Sequence, residues 1–211
     1  MNSRTLAGLA LIVGAITMMV SAFLAPSNVP DLTQTSAVLV ALAANPQSAA
    51  IHAVIQTIAM VLMLAGYAKV KDSALDGKGK PYAKLGWIMF ALILPGLMIE
   101  TALIAAAADA AAIAGGAGML MAATLWAASL GIGSISTVVP LAGMALIGIA
   151  IAIQKSYHIV VAILLIITGV LGATFPVVFG YDHSNMLIVW LSLILTTVIT
   201  GIMTIRSSDE A

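Results

Sequence analysis

The chain has 211 residues, of which 62% are hydrophobic and 8% charged, with a formal net charge of zero. A soluble domain carries roughly 25% charge, and a chain with a mean hydropathy of +1.16 satisfies its backbone in lipid only as helices or a closed barrel. The absence of cysteine excludes disulfides, iron–sulfur clusters and thiolate sites, and with no basic patch there is no footprint for nucleic acid.

The apolar runs are too long and too unalternating for barrel strands, so the sequence predicts an all-α, polytopic transmembrane bundle. Residues 1–211 form a single transmembrane domain, because no hydrophilic stretch is long enough for a soluble one. Span one is 6–24, behind a short head carrying Arg4. A basic head and an apolar run also describe a secretory signal, but a signal core is about 7–15 residues, and the longer run here reads as a retained anchor. Pro26 and Pro30 close it. The stretch 31–44 opens with a candidate Asp31 cap and falls short of the roughly 20 residues a crossing needs. It reads as a short helix at the outer surface.

Asn45-Pro46 breaks the chain before span two, 48–68, which places His52, Gln56, Met60, Met63 and Tyr67 along one face. The loop 69–84 holds five lysines, Asp72, Asp76 and two glycines. Span three, 85–107, contains Pro95-Gly96 as a kink pair and one carboxylate, Glu100. Its apolarity continues past Asp109 to the glycine-rich turn at 115–118. Span four, 119–153, is long or broken, with Gly131-Ile132-Gly133-Ser134 and Pro140 as candidate breaks. Span five is 158–178, a tight Tyr181-Asp182-His183 loop follows, and span six is 186–205. Six crossings put both termini on one side. They also put all eight Lys and Arg there, and the positive-inside rule makes that side cytoplasmic, in the inner membrane of a cell.

Spans three and four are too long for the bilayer. Counting about 20 residues from each cytoplasmic end leaves 105–133 in excess. Steep tilt or a re-entrant break absorbs some of it; otherwise an apolar hairpin projects outside, and such a surface is normally covered. The cover is either the 31–44 helix or a neighbouring subunit. Gly148 with Ala152, and Ser129 with Gly133, have the small-xxx-small spacing of close helix contacts. Ser192, Thr196, Thr200 and Thr204 form a stripe at four-residue steps, read as internal packing.

An ionisable side chain at membrane depth is a functional hypothesis by default. Glu100 lies roughly 22 Å from the cytoplasmic end of its span, at a depth similar to His52, with Asp109, Asp182 and His183 just outside. Three readings follow. Glu100 is held structurally by His52 or Gln56; or His52, Glu100 and His183 ligate a metal through nitrogen and oxygen; or Glu100, His52 and Gln56 form a minimal proton relay. No H-x-x-x-H or E-x-x-H motif sharpens the last two, so no cofactor is predicted and a metal ion is the one candidate. Paired haem histidines are excluded for His52 and His158, which sit about 30 Å apart at opposite faces. The twelve methionines read as lipid-facing or gap-filling. There is no lysine inside a span, no phosphate loop and no Ser/His/Asp set at one depth, so the sequence leans away from an enzyme.

Four features carry a resemblance: the Ser3-Arg4-Thr5 start, Ala44-Asn45-Pro46 before span two, Ile99-Glu100-Thr101-Ala102, and Trp126 early in a glycine-broken fourth span. Together they resemble a family of uncharacterised bacterial membrane proteins of about six spans, a domain of unknown function. The chain departs from that pattern with His52 and Gln56, where an acidic or amide residue is expected, and with only Lys155 before span five. The resemblance implies six helices and no activity. The expected function is a non-catalytic accessory or assembly subunit, in contact with the lipid bilayer and with a membrane-protein partner or its own copies. The alternative is a small proton-coupled carrier or metal-binding protein centred on His52 and Glu100.

Overall fold

Asn2 starts the first helix by accepting the Thr5 backbone N–H on its side chain at 2.8 Å, and α1 then runs Ser3–Leu24. The computed structural model describes residues 2–27, 33–75, 77–113 and 115–206. Seven further helices follow among these residues: α2 (Thr35–Ala44), α3 (Pro46–Asp72), α4 (Lys80–Ala91), α5 (Ile93–Ala111), α6 (Gly116–Gln154), α7 (Ile159–Phe179) and α8 (Met186–Arg206). No strand occurs among them. With α4 and α5 counted as one segment, six are long and apolar enough to cross a membrane, and α2 is the short one. The Asp31 cap, Pro30 and Asp76 lie outside the described residues. The start of α2 follows Gln34, which makes no side-chain cap bond.

The kink in the third span falls at Leu92, three residues before the Pro95-Gly96 pair. A proline ring collides with the carbonyl four residues back, which here belongs to Ala91. The chain breaks at the next residue, leaving Pro95 in the first turn of α5, where its missing N–H costs little. The fourth span, in contrast, is continuous through Gly131–Ser134 and through Pro140, giving a 39-residue helix. Glycine weakens a helix only by about 1 kcal/mol, too little to break one packed on several sides.

That packing relies on close backbone approach, since apolar attraction between helices is lost in lipid and small residues at the interface take its place. A Cβ at Gly143 of α6 would lie 2.5 Å from the Gly86 carbonyl oxygen of α4, and one at Gly148 would lie 2.8 Å from the Ala162 carbonyl oxygen of α7. At α1, a Cβ on Gly8 would meet the Gly201 carbonyl of α8 at 2.6 Å. Between these contacts sits a core that includes Leu11, Met60, Met63, Tyr67, Phe90, Leu141 and Met144. The Tyr67 and Phe90 rings meet edge to face at 5.1 Å, and the Tyr67 hydroxyl lies 2.9 Å from Thr197 Oγ1.

A second, separate core joins Val38, Leu39 and Leu42 of α2 to Ala108, Ala110 and Ala111 of α5 and to Ala122 and Trp126 of α6. The helix lengths account for the separation. At 1.5 Å per residue, α7 and α8 with 21 residues each are about 31 Å long, and α6 is about 58 Å. The turn joining α7 to α8 reaches α6 at Gly133, where an added Cβ would lie 2.6 Å from Tyr181 Cζ. Residues 116–132 of α6 run on past that level for about 25 Å, paired with the end of α5 and flanked by α2. Within the predicted 31–44 stretch, α2 thus contributes cover to the hairpin.

At the other end, Gly8 near the start of α1 packs on Ile205 near the end of α8. Arg4, Lys69 and the Ser156–Tyr157 connection line one cavity there. Gly79, just before α4, abuts the Ala150 carbonyl and Gln154. Both described termini and the basic residues therefore gather at the end opposite the hairpin.

Candidate functional site

The polar level near the hairpin end resolves into two separate clusters. In the first, Glu100 of α5 is half-buried and accepts a hydrogen bond on Oε1 from the Tyr181 hydroxyl at 2.9 Å. Gly133 of α6 makes room for both: its added Cβ would sit 2.7 Å from Glu100 Oε1 as well as against the Tyr181 ring. The ring is steadied on its far side by Trp190 of α8, edge to face at 6.2 Å. The turn that delivers Tyr181 begins at Gly180, whose φ of 90° suits glycine and whose N–H donates to the Pro176 carbonyl. It ends with His183, whose Nδ1 accepts the Asn185 N–H at 3.1 Å. Burial, and secondarily the Glu100 charge, hold the Tyr181 phenol well above the ordinary tyrosine value, against a lowering contact from Thr137. The phenol is therefore a fixed proton donor.

The second cluster is around His52. Its Nδ1 lies 2.9 Å from Ser21 Oγ of α1, and with Gln56 and Thr101 it lines a cavity of about 30 Å³, room for about one or two waters. The Thr101 hydroxyl donates back to the Leu97 carbonyl at 2.8 Å. Glu100 and Thr101 are about 100° apart around the helix, and this rotation turns one toward α6 and the other toward α3. The donor to Glu100 is thus Tyr181, and neither His52 nor Gln56 fills that place. His183 faces its own turn and stacks near Phe179 at 5.7 Å, and Asp109 is exposed. Among the described residues no three His, Cys, Asp or Glu side chains group as a metal site.

The α8 stripe faces inward. Thr196 Oγ1 lies 2.7 Å from Thr168 Oγ1 of α7, and the Tyr157 hydroxyl lies 3.4 Å from Thr204 Oγ1. Thr204 donates to the Thr200 carbonyl and Ser192 to the Val189 carbonyl. Tyr181, Thr168 and Thr197 are the residues that sequence reasoning passed over. An aromatic hydroxyl in the turn between two spans, at the depth of an intramembrane carboxyl, was the available signal for Tyr181.

No protein-family model matches the chain, and no curated protein or solved structure is significantly similar to it. Six helices of membrane-spanning length and composition define a multi-pass membrane protein in contact with lipid.

Proposed function

We propose that this chain is a non-catalytic integral membrane protein acting as an accessory or assembly subunit of a larger membrane complex. The observation that carries the reading is the excess length of α6. A hydrocarbon core of about 30 Å is filled by α7 and α8 alone, so the α5–α6 hairpin beyond Gly133 stands in water when those two helices span. Its surface is apolar there despite α2: Leu120 is 72% exposed and Ile113 55%. Exposed apolar surface of this kind marks an interaction site. The gathering of basic residues at the opposite end supports a cytoplasmic location for both termini.

Native mass spectrometry of the protein extracted gently from its own membrane tests the proposal. A heterologous membrane protein bound at fixed stoichiometry is the expected result. A lone chain, or one retaining only a small ligand, would overturn it.

The second reading, a proton-coupled carrier, is supported by the Glu100–Tyr181 hydrogen bond, since a carboxyl inside a span with a fixed proton donor is the minimum such a device needs. Glu100→Gln separates the two. A subunit keeps or loses assembly, whereas a carrier keeps its assembly and loses proton movement in reconstituted vesicles.

A further inference from the structure

The basic end holds a cavity of about 180 Å³, lined by Arg4, Lys69, Asp72, Ser73, Ser156 and Tyr157. Three parts of the chain far apart in sequence meet there: the start of α1, the end of α3 and the connection from α6 to α7. The volume is room for several waters, and every residue on its wall carries a polar or charged group. Two cations face it, and the one carboxylate on its wall among the described residues, Asp72, is drawn to Lys71 at 2.7 Å. Hydroxyls line the rest. Ser73 Oγ lies 3.4 Å from Ser156 Oγ, and the Tyr157 hydroxyl reaches Thr204. Arg4 is close enough to the phenol of Tyr157 to oppose the rise that burial causes in its pKa, so its positive field acts inside the cavity.

We propose that this cavity binds a phosphate group. A guanidinium and an ammonium converging with serine and tyrosine hydroxyls match an anion that offers several acceptor oxygens. The cavity lies at the end of the bundle where the basic residues collect, the depth at which lipid headgroups lie, and basic pockets between spans on that side take phospholipid headgroups. The phosphodiester of a net-anionic headgroup and free phosphate share this chemistry, whereas in phosphatidylcholine the choline cation cancels the phosphodiester charge and sets a positive group against Arg4 and Lys69.

The test uses the full chain in micelles containing equal amounts of phosphatidylglycerol and phosphatidylcholine, with retained lipids identified by native mass spectrometry. A parallel titration with inorganic phosphate is done in phosphatidylcholine alone. Preferential retention of phosphatidylglycerol, falling roughly five-fold for Arg4→Gln or Lys69→Gln and unchanged for Lys84→Gln, supports a lipid site. Saturable binding of inorganic phosphate, lost in the same variants, supports a site for the soluble anion. Ser156→Asp keeps both cations and adds a carboxylate to the cavity, and it must lose binding as well. Equal retention of both lipids with no phosphate binding would overturn the proposal. So would a loss for Lys84→Gln as large as that for Lys69→Gln, which would mean diffuse surface charge.

Discussion

Replacing Tyr181 by phenylalanine removes one hydroxyl and keeps the ring that packs on Gly133 and Trp190. The variant removes the 2.9 Å bond to Glu100 together with the contact to Thr137, and a double-mutant cycle isolates the first. Hydroxyl bonds between membrane helices average about 0.6 kcal/mol and reach about 1.7, while bonds to charged groups in water-soluble proteins contribute about 1.5–3 kcal/mol. A half-buried carboxyl left without this donor falls at the top of the membrane range, so Tyr181→Phe is expected to cost about 1.5 kcal/mol. In a Glu100→Leu background the hydroxyl has lost its acceptor and keeps only the Thr137 contact, so the same substitution should cost markedly less. Reversible unfolding in mixed micelles with increasing SDS, followed by tryptophan fluorescence, gives the four free energies of the cycle. Coupling above the roughly 0.5 kcal/mol that separates additive from interacting sites is the predicted result. Losses that simply add would refute the idea that Tyr181 ties α5 to the α7–α8 turn.

Two further predictions concern packing and pH. Gly143→Ala places a methyl 2.5 Å from the Gly86 carbonyl and should destabilise by about 1–3 kcal/mol; Gly131→Ala meets nothing within 4 Å and should gain about 0.5–1 kcal/mol, both read by the same unfolding assay. Tyr157 and Tyr181 are held above the ordinary tyrosine value of 10.0, so above that pH the unfolded chain releases phenolic protons that the folded chain retains. Their contribution is complete below pH 10.0 and is lost as pH rises toward the folded values, giving a stability that is flat and then falls on the alkaline side. Unfolding midpoints measured between about pH 8 and about pH 11 check this, and Tyr181→Phe should flatten part of the fall.

The six spans were legible because each is a long apolar run, a property of composition that no tertiary contact alters. The excess length around 105–133 was legible for the same reason, by counting against bilayer thickness. What composition does not contain is helix rotation. His52 and Glu100 sit at one depth, yet α3 turns His52 toward Ser21 and α5 turns Glu100 toward α6, and only the packed bundle decides this. The partner of Glu100 comes from 81 residues away, in a turn whose direction is set by Gly180. The kink at Leu92 was misplaced at Pro95-Gly96 because a proline acts on the turn before it. Gly131–Gly133 read as a break because glycine is a poor helix former; at Gly133 its role is to admit Tyr181 and Glu100 against α6.

The most direct test of the central claim uses the cysteine-free background. Leu120→Cys on the hairpin and Ile167→Cys in α7, both outward-facing, are exposed to a water-soluble maleimide in native membranes and again after the chain has been stripped of bound proteins and purified into lipid nanodiscs. An accessory subunit with its hairpin outside the bilayer predicts that position 120 is protected in native membranes and reacts freely once purified, while 167 is protected in both. Protection of 120 in both settings would place the hairpin in lipid, and free reaction in both would leave it without a partner; either result contradicts the account.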